Sequence, residues 1–185
     1  MSGLISIAII IGIILYCFYA KVIKCRNRLN EALSGIDVQL EKRYDLVPNI
    51  LKIAKKFMEH EQEIFTQITE LRTRAMNAPS GSKEKFAADN ELTSKLDALK
   101  VSVENYPELK SNDTMVQAMK TYEETEENIA AARRFYNTAL RQLHDAIMIF
   151  PGSLFAGCAG DISQFSYFEA EESHKKPINA DDYLR

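Results

Sequence analysis

The sequence predicts an all-α protein, with an N-terminal transmembrane helix followed by an antiparallel bundle of three to four long helices. Residues 3–20 contain no charged side chain. Two long stretches, which begin at Val22 and at Met115, place apolar residues at alternating steps of four and three, the spacing of one helix face. Gly and Pro number only 7 and 5 among the 185 residues, so helix breakers are sparse.

The uncharged run is long enough to cross a bilayer. At the rise of an α-helix it spans roughly 27 Å, close to the thickness of the hydrocarbon core. It has neither a basic segment before it nor a small-x-small cleavage site after it, which favours an uncleaved anchor over a signal peptide. Lys21, Lys24, Arg26 and Arg28 follow at once, and the positive-inside rule then places the remainder of the chain in the cytoplasm.

The first apolar stripe runs from Val22 to Leu71 and allows two interpretations at Pro48. The unbroken spacing favours one kinked rod of helix. The local chemistry favours a tight turn between two helices, residues 22–44 and 46–77. Proline disfavours the helix just before it, and Asp45 can cap a new helix with Pro48 in its first turn. We expect the turn, with the rod as the alternative.

The rest of the chain divides at clear turn signals. Residues 77–82 (NAPSGS) form a loop, and Lys83–Val103 is a third, shorter helix. Residues 104–111 contain Pro107 and form the next turn. The last helix is the clearest periodic signal, running from about Met115 to residue 150, where Pro and Gly end it.

Beyond this helix, residues 153–168 are apolar but interrupted by two glycines, too broken for a second span. We expect them to pack as a strap over the bundle end; the alternative is a segment that lies in the membrane interface. Residues 169–185 are polar and form a tail. The predicted organisation is therefore an anchor (1–23), a helical bundle domain (24–168) and a polar C-terminal tail (169–185).

Several polar side chains occupy or adjoin the apolar stripes, where an unpaired charge is costly. We interpret them as a structural layer of buried salt bridges that fixes helix register, with an acid–base or ligand site as the alternative. The members of this predicted polar layer are Asp37, Arg43, Asp45, Glu126, Arg133 and Asn137.

The sequence predicts no catalytic, cofactor-binding or metal-binding residues. A di-iron bundle needs paired Glu-x-x-His units, and the only such unit, Glu171–His174, falls in the tail. There is no Gly-x-Ser-x-Gly elbow, no glycine-rich phosphate loop and no Cys-x-x-Cys among the three cysteines. The net charge of −3 gives no reason to expect a nucleic-acid partner.

Four sequence blocks carry a family resemblance. They are IDVQLEKRYDLVPN at residues 36–49, ENYPEL at 104–109, TEENIAAARRFYN at 125–137 and FP at 150–151. Together, in this order and spacing, they resemble the LemA family of bacterial membrane proteins. The resemblance implies a single N-terminal membrane helix, a compact helical domain and no agreed biochemical activity.

We therefore predict a scaffold or protein-interaction module, not an enzyme, at the bacterial inner membrane. The alternatives are a component of a signalling or envelope-stress pathway and an enzyme that uses the buried polar site. The expected partners are the lipid bilayer and an unidentified protein. The sequence is also compatible with a homo-oligomer. The last helix is longer than the third can cover, which predicts an apolar interaction surface near its end: Leu143, Ile147, Phe150, Leu154 and Phe155.

Overall fold

The computed structural model describes residues 1–163 and 165–168, and in this part of the chain the only regular elements are helices. The predicted all-α class is confirmed. The predicted tail, residues 169–185, lies outside the described residues. The elements are α1 (Ser2–Ala54), α2 (Gln62–Asn77), α3 (Lys83–Val103), α4 (Pro107–Lys110), α5 (Asp113–Met148) and a 3-10 helix (Gly152–Ala159).

The two longest helices, α1 and α5, pack side by side in opposite directions. Arg43 of α1 pairs with Glu126 near the middle of α5. Cys25 and Ala146 line one groove nearer to the amino-terminal end of α1. Position along α1 therefore rises as position along α5 falls.

Helices α2 and α3 complete an up-down-up-down bundle. The Lys55 ammonium lies 5.6 Å from the ring centre of Phe65 near the start of α2, whereas Ser80, just after α2, donates a hydrogen bond to Asp37. Helix α2 thus runs back along α1. Lys85 at the start of α3 pairs with the same Asp37 at 3.3 Å, and Asp89 further along α3 pairs with Arg43 further along α1, so α3 runs parallel to α1.

The predicted turn at Asp45 is wrong, because α1 continues through Pro48 without a break. The proline cannot donate a hydrogen bond to the carbonyl of Tyr44, four residues earlier. The Nε of Arg72 on α2 donates to this carbonyl instead, at 2.6 Å. Pro48 itself is exposed, so its ring faces solvent and not the core. A neighbouring helix therefore supplies the missing donor.

The alternative of one continuous rod also fails, since α1 ends at Ala54 and the chain reverses over residues 55–61. This segment contains neither Gly nor Pro. Met58 is fully buried within it and ties the reversal to the core. The alternating spacing of the first apolar stripe continues past this reversal only if the polar Glu61 is counted as one of its members.

The remaining helix ends follow local chemistry. Helix α3 has the predicted bounds, and the hydroxyl of Ser82 caps it by accepting from the amide of Lys85 at 3.1 Å. Asn112 caps α5 in the same way, accepting from the amide of Met115 at 3.1 Å. A single helical turn, α4, lies inside the predicted turn at residues 104–111.

The described part of residues 153–168, which we call the strap, packs against the bundle. Phe168 stacks on Phe86 of α3 with ring centres 3.5 Å apart and meets Tyr136 of α5 edge to face. The side chain of Asn137 accepts from the amide of Phe168 at 3.0 Å and donates to its carbonyl at 2.9 Å. Gly152 begins the strap against α5, where an added Cβ would lie 2.0 Å from the Ala146 carbonyl oxygen.

The amino-terminal third of α1 extends beyond the bundle. Among the described residues, α1 is the one helix long and apolar enough to cross a membrane, and these residues bury no position of its apolar window. From Val22 onward one face of the same helix enters the hydrophobic core. The anchor and the first helix of the bundle are therefore one continuous element.

Candidate functional site

A buried cluster of charges links three helices at the middle of the bundle. Arg43 is fully buried on α1, and its two terminal nitrogens donate hydrogen bonds to partners on α3 and α5. One donates to Asp89 at 2.6 Å, and the other donates to Thr93 at 2.7 Å and to Glu126 at 2.8 Å. We call Arg43, Asp89, Thr93 and Glu126, with Tyr44, the Arg43 cluster.

The cluster combines one fully buried ion pair with one that reaches solvent. The side chains of Arg43 and Asp89 are both 0% exposed, whereas that of Glu126 is 24% exposed. Tyr44 adds a second donor to Asp89, with its hydroxyl 2.6 Å from the same carboxylate oxygen that Arg43 contacts. The other oxygen of Asp89 and the Nε of Arg43 are buried and have no hydrogen-bond partner among the described residues.

The electrostatics of the cluster follow from this burial. Burial alone lowers the pKa of Arg43, but the negative charges of Asp89 and Glu126 outweigh it and raise that pKa above its ordinary value. Burial and the Asp89 carboxylate raise the pKa of the Tyr44 hydroxyl. Burial and the Glu126 carboxylate do the same for Tyr122. Arg43 is therefore a permanent cation, and both tyrosines are neutral at neutral pH.

Arg133 lies beside the cluster without an ion pair in it. Its guanidinium stands 5.0 Å from the ring centre of Phe168, in a cation–π contact with the strap. Its Nε and one terminal nitrogen are buried, and no residue in 1–163 or 165–168 accepts a hydrogen bond from them. Burial and the nearby charge of Arg43 lower the pKa of Arg133.

The structure places the other predicted polar residues elsewhere. Asp37 lies toward the membrane-proximal end, where it meets Ser80 and Lys85. Asn137 binds the backbone of the strap at Phe168. Asp45 is exposed on α1 and does not enter the cluster, because its position faces away from the other helices. The predicted polar residues therefore do not form one layer but lie in separate places.

Sequence reasoning missed Asp89, the fully buried partner of Arg43. A signal for it exists, since Asp89 lies three residues after Phe86 and three before Leu92 on the buried face of α3. Asp89 thus fills a gap in the apolar stripe of α3. Arg43 fills such a gap in the stripe that begins at Val22, and Glu126 fills one in the stripe that begins at Met115.

The predicted apolar interaction surface is divided between core and exterior. Leu143 is fully buried and cannot contribute to a surface, because its side of α5 faces α1. Ile147 and Phe155 are half-buried against the core. Phe150 and Leu154 are exposed. Of the predicted set, Phe150 and Leu154 are thus available to a partner.

In the part of the chain that the structure describes, no group of three or more His, Cys, Asp or Glu side chains is placed to hold a metal ion. The three cysteines are free thiols, and Cys17 and Cys158 are exposed.

Comparison with known proteins relates the chain to one protein family and to a set of magnetosome proteins. The sequence model of the LemA family matches residues 32–181. The chain is 26% identical to magnetosome proteins MamQ 1 and MamQ 2 of Paramagnetospirillum magneticum and 24% identical to MamQ of Magnetospirillum gryphiswaldense. Each alignment covers 78% of this chain and 62% of the relative, so the chain spans less than two thirds of these proteins.

Proposed function

The chain belongs to the LemA family, and we propose that it is a membrane-anchored scaffold. In this proposal its helical bundle binds other proteins on the cytoplasmic face of the bacterial inner membrane. The anchor holds the bundle against the bilayer, and the faces of the bundle beyond the membrane surface carry the partner. Its role is to hold proteins in place, without chemistry of its own.

The observation that carries this proposal is the continuity of α1. One helix of 53 residues contains both the membrane-length run and the first helix of the bundle. From Ala20 to Ala54 it rises roughly 50 Å at the rise of an α-helix. A flexible linker would leave a tethered domain free to turn, whereas an unbroken helix fixes its height and orientation. Fixed presentation of a bundle suits a scaffold.

The Arg43 cluster supports the same proposal from inside the bundle. Arg43 is a buried cation on α1 whose partners lie on α3 and α5. Its hydrogen bonds can all form in only one register of these three helices. We propose that the Arg43 cluster selects this register, so that the outer faces keep a constant shape. The relatives are named as magnetosome proteins, a name that refers to a cellular structure and not to a reaction.

The scaffold proposal is tested by photocrosslinking in living cells. One exposed apolar residue beyond the predicted span is chosen from each of four helices, namely Val38, Met76, Val101 and Val116. A photoreactive amino acid at each position samples four directions around the bundle. We expect one face to capture the same protein repeatedly while the other faces do not.

A matched control separates specific capture from chance contact. A glutamate placed one helical turn from the capturing position should abolish the adduct, whereas a glutamate on the opposite helix should not. Absence of adducts from all four positions would count against the scaffold proposal. Turnover of a small molecule by the purified chain, lost in Glu126→Gln, would favour an enzyme instead.

A further inference from the structure

Four large apolar side chains are exposed where α5 gives way to the 3-10 helix. Met148, Ile149, Phe150 and Leu154 are each between 64% and 76% exposed. They follow one another closely in the chain, and we call them the 148–154 face. Exposed apolar residues elsewhere on the bundle are scattered singly, whereas these four fall within seven consecutive positions, and such a cluster indicates a site of contact with another apolar phase.

The position of the 148–154 face along α1 identifies this phase. Phe155, the neighbour of Leu154, meets the ring of Tyr19 edge to face at 5.9 Å. Ile149 lines a groove with Phe18 and Lys21. Phe18 and Tyr19 are among the last residues of the uncharged run at 3–20. The 148–154 face therefore lies level with the end of the predicted span, where the hydrocarbon core meets the headgroups.

The residues around this level have the character of a membrane interface. Tyr16 and Tyr19 are exposed at the end of the span, as in the aromatic belts of membrane proteins. Lys21, Lys24 and Arg28 follow on the same helix and suit anionic headgroups. Arg26 donates to the carbonyl of Cys158 at 3.4 Å and so ties the 3-10 helix to this basic layer.

We propose that the 148–154 face is a second membrane contact, in which the end of the bundle dips into the bilayer interface beside the anchor. This inference rests on the anchoring part of the proposed function. Its occupant is lipid because the face continues the uncovered apolar surface of the span and is flanked by cations that favour anionic headgroups. The bundle is thereby held at two points, which prevents it from tilting on its anchor.

The absence of tryptophan from the chain allows a direct test. Single tryptophans replace Phe150, Leu154, Ile10 or Val101, and each full-length variant is reconstituted into vesicles of phosphatidylethanolamine and phosphatidylglycerol. Ile10 lies within the span and reports on the anchor. Val101 is 69% exposed at the far end of α3 and serves as the solvent control. The measurements are the emission maximum and the quenching by lipids with brominated acyl chains and by aqueous acrylamide.

We expect Phe150→Trp and Leu154→Trp to emit at shorter wavelength than Val101→Trp and to be quenched by brominated lipid. Both should be more accessible to acrylamide than Ile10→Trp. If Ile10→Trp is quenched by brominated lipid but neither 148–154 variant is, the second contact is refuted while the anchor stands. Blue-shifted emission of Phe150→Trp without quenching by brominated lipid would overturn the proposal. The occupant of the 148–154 face would then be a second copy of the chain or another protein, and not lipid. Failure of Ile10→Trp to be quenched would refute the anchor and the second contact together.

Discussion

At the scale of single residues, the buried polar groups differ in how much the fold depends on them. Asp89 is the fully buried counter-charge of Arg43, whereas Glu126 shares that cation while facing solvent. The loss of a buried partner leaves an uncompensated charge, which costs far more than the loss of an exposed pair. Asp89 and Arg43 should therefore dominate the stability of the polar interior.

Asp89→Asn tests this difference. Because Glu126 still contacts Arg43 in this variant, we expect the free energy of unfolding to fall by about 3 kcal/mol, the lower end for a broken buried pair. Glu91→Gln on the same helix is the matched control, since Glu91 and Arg74 form an exposed pair at 3.1 Å. The control should cost less than about 1 kcal/mol. Urea unfolding of the full chain in detergent, followed by circular dichroism, compares them; equal losses would contradict a central role for Asp89.

Buried tyrosines predict a loss of stability at alkaline pH. Burial, with a contribution from Tyr167, raises the pKa of Tyr136 from 10.0 to about 12. Because the pKa is higher in the folded state, the stability that Tyr136 contributes is complete below pH 10 and is lost as pH rises toward 12. The pKa values of Tyr44 and Tyr122 are raised in the same direction.

Tyr136→Phe isolates one of these groups. Its hydroxyl is buried without a protein partner, so its removal should leave stability at pH 7 unchanged or slightly higher. Between pH 10 and 12, one fewer proton should be released on unfolding, which reduces the pH dependence by about 1.4 kcal/mol per pH unit at most. Unfolding measured across this range, with tyrosinate absorbance as the titration signal, tests the effect. An unchanged pH dependence would show that Tyr136 titrates freely in the fold.

At the scale of the helices, the passage of α1 through Pro48 depends on its neighbour α2. The Tyr44 carbonyl lacks its intrahelical donor and receives the Arg72 Nε instead. The carbonyl that Pro48 leaves without a donor in α1 is therefore satisfied by a side chain 28 positions further along the chain. A helix that looks broken in sequence is kept continuous by packing against another helix.

A double-mutant cycle measures this dependence. Arg72→Met should cost about 1–3 kcal/mol, because it leaves the Tyr44 carbonyl without a donor. In a Pro48→Ala background the amide of residue 48 can donate to that carbonyl, so the cost of Arg72→Met should fall. A coupling energy of about 1 kcal/mol between the two sites is expected. Additive effects in thermal or urea unfolding would mean that Arg72 does not replace the missing donor.

At the scale of the whole molecule, α1 runs from the predicted span into the bundle. The distribution of charged residues around the span predicts on which side of the membrane the bundle lies. Cations cluster directly after the span at Lys21, Lys24, Arg26 and Arg28, and the positive-inside rule assigns that flank to the cytoplasm. The proposed orientation therefore places the amino terminus outside and the bundle in the cytoplasm.

Cysteine labelling in spheroplasts tests this orientation. Cys17, Cys25 and Cys158 are first replaced by serine, and single cysteines are then introduced as Ser2→Cys or Val101→Cys; both sites are exposed. A membrane-impermeant maleimide should label Ser2→Cys in intact spheroplasts and Val101→Cys only after lysis. The reverse pattern would place the bundle on the outer side of the membrane while leaving the anchor intact.

The sequence by itself determined those features that nearby residues control. The uncharged run at 3–20 defines the span, and Ser82 and the alternating apolar positions define α3 with its observed bounds. Asn112 marks the start of α5 in the same local way. Caps, turns and helix faces arise from contacts within a few residues, so they can be recognised without knowledge of the fold.

Only the tertiary structure decided the features that depend on distant partners. Pro48 lies within a helix because Arg72 satisfies a carbonyl, and the reversal at residues 55–61 depends on the burial of Met58. Asp89 is a core residue because Arg43 faces it across the bundle. In each case the local chemistry allowed another outcome. The deciding free energy came from hydrogen bonds, charge pairing and burial between segments that are far apart in sequence.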